Sequence, residues 1–105
     1  MTEKTIEWNL GFTPDEVIVG LEKLLTEAGY AYTRVEPDAE VRFQVTLAQG
    51  TLGLTVRPLL GQRSPFSPQL ILHRTLLVMT WNGVSAEEEA VFLRRLTLAF
   101  LRVGG

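Results

Sequence analysis

Cysteine is absent from the chain and histidine occurs once, at His73. The first absence excludes disulfides, thiolate metal sites and cysteine nucleophiles together. The second excludes a metal centre built from several histidines of one chain. Long apolar runs are missing too: none approaches the ~20 residues needed to cross a bilayer. The opening residues, Met1 to Ile6, lack the basic end and apolar core of a secretory signal, so the expected location is the cytoplasm. Nor is there an excess of positive charge. A net charge of −2 and a pI near 5.4 argue against a nucleic-acid binder that relies on a broad basic footprint. Arginine outnumbers lysine eight to two, which genome composition explains as readily as chemistry does.

What remains is a chain that can fold. Hydrophobic residues make up 46% and charged residues 21%, a balance foreign to disordered or collagen-like sequences. At 105 residues the expectation is a single domain spanning 1–105, burying roughly two thirds of its unfolded surface.

Lys4 to Leu10 alternates, with Ile6, Trp8 and Leu10 opposed by Thr5, Glu7 and Asn9, the period of a half-buried strand. Full helix-start chemistry follows: Thr13 as N-cap, Pro14 at the first helical position, Glu16 to complete a capping box, and Phe12 with Val17 as a hydrophobic staple. Val17, Ile18, Leu21, Leu24, Leu25 and Ala28 form one apolar stripe, and Gly29 stands where a left-handed C-cap belongs.

Three short strands are then expected: Tyr30–Glu36, a turn at Pro37-Asp38, Val41–Leu47, a tight connection at Ala48-Gln49-Gly50-Thr51, and a strand through Leu52, Leu54 and Val56. Such short links favour antiparallel neighbours. Pro58–Pro68 reads as a long loop, because Pro58, Gly61, Pro65 and Pro68 all discourage regular structure. Gln69–Trp81 is a strand with apolar residues on both faces: Leu70, Leu72, Leu76 and Val78 on one, Ile71, Leu77, Met79 and Trp81 on the other. Asn82-Gly83 turns the chain, Ser85 and Glu88 offer a second capping box, and a final helix buries Phe92, Leu93, Leu96, Ala99, Phe100 and Val103.

The predicted class is α+β, order β-α-β-β-β-β-α, an antiparallel sheet with two helices packed on one face. In element order the chain resembles helix-on-sheet binding folds of the helix-grip kind, and its final strand and helix resemble those of small secretion-chaperone-like domains. Those families carry a further central helix or further strands, and none of their signature residues is matched here.

Little in the sequence argues for chemistry. Glu36, Asp38 and Glu40 alternate across a turn and could offer oxygen ligands to a hard cation, but the loop lacks calcium-loop spacing, and solvated turns are commonly acidic. His73 is the default proton-transfer group, yet neither a nucleophile nor an orienting acid is tied to it. Ser64, Ser67 and Ser85 lack a nucleophile-elbow context. Gly50, Gly53 and Gly61 do not form a phosphate-cradling loop. Arg42, Gln44, Thr46, Thr55 and Arg57 could share a sheet face, with Tyr30 or Tyr32 nearby for base stacking, but a solvated face needs polar residues anyway. The reading is therefore a non-catalytic domain without a cofactor or metal.

The strongest constellation is apolar. Leu77, Met79 and Trp81, with Val91, Leu98 and Leu101 as a second patch, exceed what one small chain is expected to cover, and adjoining apolar patches mark interaction sites. The expectation is a homodimerising protein-interaction domain, whose partner is a second copy or another protein. Two other readings compete. In one, Leu59, Leu60 and Phe66 of the loop cover the patch as a lid. In the other, the chain carries an apolar ligand in a pocket of about 300 Å³ or more, lined by residues such as Leu60, Phe66, Leu72 and Phe100.

Overall fold

The computed structural model describes residues 3–37, 40–63 and 71–104; at 60–63, 71–73 and 101–104 only the backbone is considered. The elements follow one another as β1 (Glu3–Leu10), α1 (Pro14–Glu27), β2 (Ala31–Val35), β3 (Val41–Thr46), β4 (Thr51–Arg63), β5 (Ile71–Asn82) and α2 (Ala86–Gly104). The five strands form one antiparallel sheet in the order β1-β5-β4-β3-β2, as the short connections require. Both helices pack on the same face, so the α+β expectation and its element order hold.

Alternation fixes the two faces through the register. Leu52, Leu54 and Val56 of β4 lie opposite Trp81, Met79 and Leu77 of β5, and Val45 and Phe43 of β3 join the same rows. These eight side chains are buried beneath Val17, Leu21, Leu24 and Leu25 of α1 and Phe92, Leu96 and Phe100 of α2. The centre is aromatic: Phe92 meets the edges of both Trp81 and Tyr30 with ring centroids 5.6 Å apart. Among the described residues Thr75 is the buried polar exception. Its hydroxyl donates to the Phe12 carbonyl at 2.7 Å, which ties the β1–α1 link to β5.

At the start of α1, Thr13 and Glu16 close the full capping box. At its end, Gly29 takes φ +77°, the Gly29 N–H reaches the Thr26 carbonyl, and the Tyr30 N–H reaches the Leu25 carbonyl. This is a Schellman cap. The second capping box forms only in part. The Ser85 hydroxyl accepts from the Glu88 N–H, but the Glu88 carboxylate turns away and accepts from the Ala48 and Gln49 N–H groups. It thereby clasps the β3–β4 turn, whose orphan donors outbid the helix's own N-cap. That turn is pressed against the β5–α2 connection. At Gly50, with φ +97°, an added Cβ would lie 2.1 Å from the Asn82 carbonyl oxygen.

One expectation for the second half of the chain needs correction. Pro58–Pro68 does not begin as a loop, since β4 continues through Pro58 to Arg63. Pro58 is tolerated because it lies beyond Val56, the last β4 residue paired with β3, so β4 is bonded there to β5 alone. Leu60 and Gly61 together oppose His73 in an irregularity of the ladder. The β4–β5 ribbon runs past the ends of β1 and β3, and the molecule measures 47 × 30 × 21 Å. Its radius of gyration, 14.6 Å, exceeds the value near 13 Å of a compact chain this size.

The outer face of β5 carries the other apolar set. Among the described residues no second layer covers Leu76 and Val78. They are half-buried because Asn9 and Arg57 flank Leu76, and Glu7 and Thr55 flank Val78. Long polar side chains shelter apolar neighbours with their stems, so two half-buried residues need no further cover.

Candidate interaction surface

Three of the expected partner anchors belong to the core. Leu77, Met79 and Trp81 point toward the helices and are 0%, 0% and 2% exposed, so they are covered by the chain itself. Alternation separated the two faces of β5 correctly, but it gave no hint of which one the helices take. Val91 and Leu98 are different. They stand 47% and 52% exposed on α2, and Val19, 65% exposed, stands on α1. Leu101, the sixth expected residue, lies among those whose side chains are not described.

The helices are antiparallel neighbours. Near one end, Phe12 packs on Phe100 and Gly20 allows the Phe100 ring in, a Cβ there falling 3.1 Å from it. At the other end Arg95 lies over the Tyr30 ring, 5.6 Å from its centroid, and donates to its hydroxyl at 2.9 Å. Between them the layer opens outward in a groove of about 390 Å³, lined by Gly20, Lys23, Leu24, Glu27 and Ala28 of α1 and Arg95, Leu98 and Ala99 of α2. The α1 residues recur at helical spacing, so they form one face. Sequence reading missed this groove because Lys23, Glu27 and Arg95 look like ordinary solvated positions. Gly20 inside a helix was the available signal, since a mid-helix glycine commonly marks a close approach.

The groove is not the pocket expected of an apolar-ligand carrier. It lies outside the helices rather than between helices and sheet, and Phe100 is buried against Phe12 and Gly20. Leu60 and Leu72 have no described side chains and Phe66 lies outside the described residues, so of the proposed lid only Leu59, half-buried in β4, is described with its side chain.

The sheet edges are guarded. On β1, Lys4 points to the core side opposite Trp81 and pairs with Glu89 of α2 at 2.8 Å. On β2, Arg34 points the same way opposite Phe43 and pairs with Glu22 of α1 at 3.2 Å. Inward-pointing charges of this kind discourage edge-to-edge strand pairing.

The remaining candidates are scattered over the fold or fall on residues that are not described. Glu40 accepts from both Arg57 and Arg42, and these hydrogen bonds hold its carboxyl below the usual carboxylate range. Glu36 pairs with Arg34. Asp38 lies outside the described residues, within which no three acidic or histidine side chains gather to hold a metal ion. The His73 side chain is likewise not described. Arg42, Gln44, Thr46, Thr55 and Arg57 do share the outer sheet face, but Tyr30 and Tyr32 pack with the core on the other side, so the stacking partners of a nucleic-acid site are separated from its cations. No described helix is long and apolar enough to cross a membrane.

No protein-family model matches the chain, and no curated protein is detectably similar to it.

Proposed function

We propose that the protein is a non-catalytic interaction domain that pairs with a second copy through the outer side of its helical layer. One observation carries this reading: of the four large apolar side chains left exposed among the described residues, Val19, Val91 and Leu98 are on the helices. The fourth, Val35, sits on an edge strand guarded by Arg34. The inner sheet face needs no partner, since α1 and α2 cover it. A twofold pair presents the same patch from both sides, so each exposed residue is covered twice for one complementary surface.

The test is the mass in solution of the unaltered chain and of Leu98→Glu. The unaltered chain is expected to approach twice the monomer mass of 11.7 kDa as concentration rises, and Leu98→Glu to remain monomeric with unchanged circular dichroism and melting temperature. A monomer at every concentration, or a Leu98→Glu variant that dimerises as before, would reject the proposal.

A further inference from the structure

Two copies can meet face to face through this layer about two kinds of twofold axis. An axis across the helices lays α1 on α1 and α2 on α2; an axis along them lays α1 of each copy on α2 of the other. We infer that the second arrangement is used, with Glu27 of each copy facing Arg94 of its mate; this rests on the self-association proposed above.

The charges select between the axes. α1 carries four carboxylates, Asp15, Glu16, Glu22 and Glu27, against Lys23, a net of −3; α2 as a whole is neutral, with Glu87, Glu88 and Glu89 gathered in its first turn and Arg94, Arg95 and Arg102 in the stretch 91–102, which alone has a net of +3. The axis across the helices would oppose acid to acid on α1. The axis along them brings opposite signs together on both sides of the interface, and a self-complementary surface is what a twofold pair requires.

Heights along the helices then name the pair. Rotation about an axis parallel to the helices leaves every residue at its own level, so groups that are level within one copy remain level across the interface. Glu27 and Arg95 line the same groove, and Arg95 is already occupied by Tyr30. Arg94, beside it, is exposed and makes no ion pair among the described residues. On α1 the rival carboxylates are engaged, Glu16 in the capping box and Glu22 with Arg34, whereas Glu27 is exposed and Asp15 lies three turns away. Arg94 also has Val91 three residues before it and Leu98 four after, so it sits within the apolar stripe, where a pair would be partly shielded from water.

The experiment uses two single charge reversals, Glu27→Arg and Arg94→Glu, studied alone and mixed. Each reversal alone places like charges at both symmetry-related contacts and is expected to weaken self-association about tenfold or more. In the mixture every reversed group meets its opposite while the second contact keeps its native pair. Equimolar mixing should therefore restore association as a mixed dimer, visible by native mass spectrometry, and raised salt should narrow the differences. Variants that pair with themselves as well as the unaltered chain does, or a mixture that forms no mixed dimer, would overturn this arrangement while leaving self-association standing. An unaltered chain that is monomeric throughout would overturn both.

Discussion

The inner face of the sheet and the outer face of the helical layer both present large apolar side chains, yet they stand in opposite conditions. On the inner face Leu77, Met79 and Trp81 meet Phe92, Leu21 and their neighbours and are closed within one chain. On the outer face Val19, Val91 and Leu98 meet no second layer among the described residues. The difference comes from geometry rather than hydrophobicity. A strand with both faces apolar leaves its inner face to the helices, while long polar neighbours shelter what remains on the other. A helix has a wider circumference, and among the described residues Val91 and Leu98, opposite the buried stripe of α2, stay about half exposed even with Arg94 between them.

The comparison can be broken most severely from the inside. Replacing Trp81 by Ala removes the largest buried side chain and should cost about 3–5 kcal/mol in urea unfolding. Trp81→Phe should cost much less, since the buried indole Nε1 has no hydrogen-bond partner to lose among the described residues. Next comes the contact between the two turns at the sheet end. Gly50→Ala forces a positive φ on alanine and drives a methyl group into the Asn82 carbonyl, for an expected loss of about 2–4 kcal/mol by the same measurement. Glu88→Gln keeps one acceptor for the β3–β4 turn but loses the charge, and about 1 kcal/mol is expected, with faster amide exchange at Ala48 and Gln49.

The smallest effect lies on the outer sheet face, at Glu40. Arg57 and Arg42 lower its pKa in the folded state, so its contribution is present above the ordinary carboxylate value and is lost as pH falls below 4.5 and through the lowered one. The stability difference between the unaltered chain and Glu40→Gln should therefore shrink on acidification. A difference that grew instead would mean the arginines do not favour the ionised form.

Much of this architecture was legible in the residues. Thr13, Pro14, Glu16 and Gly29 mark both ends of α1, Asn82-Gly83 marks the turn before α2, and period-two alternation picks out the strands. Where reading failed, the missing information was tertiary. Pro58 argues locally for a loop, and only the absence of a β3 neighbour makes it acceptable in a strand. Glu88 has the spacing of a capping box, but its carboxylate accepts instead from the N–H groups of Ala48 and Gln49, 40 and 39 residues away. For the interaction surface, Val91 and Leu98 were identifiable as residues off the buried stripe of α2. Leu77, Met79 and Trp81 were misplaced because apolar content on both sides of β5 is silent about which side the helices choose.

The central claim is that the inner face is closed in every copy and that only the helical layer changes its exposure on association. Hydroxyl-radical footprinting across a dilution series, read residue by residue by mass spectrometry, measures this directly. Met79 and Trp81 are far more oxidisable than any leucine, so protection at those two is a stringent reading. The account predicts that both stay protected at all concentrations while labelling of Leu98 rises as the protein is diluted. Labelling of Met79 or Trp81 that rises on dilution, with Leu98 unchanged, would contradict it.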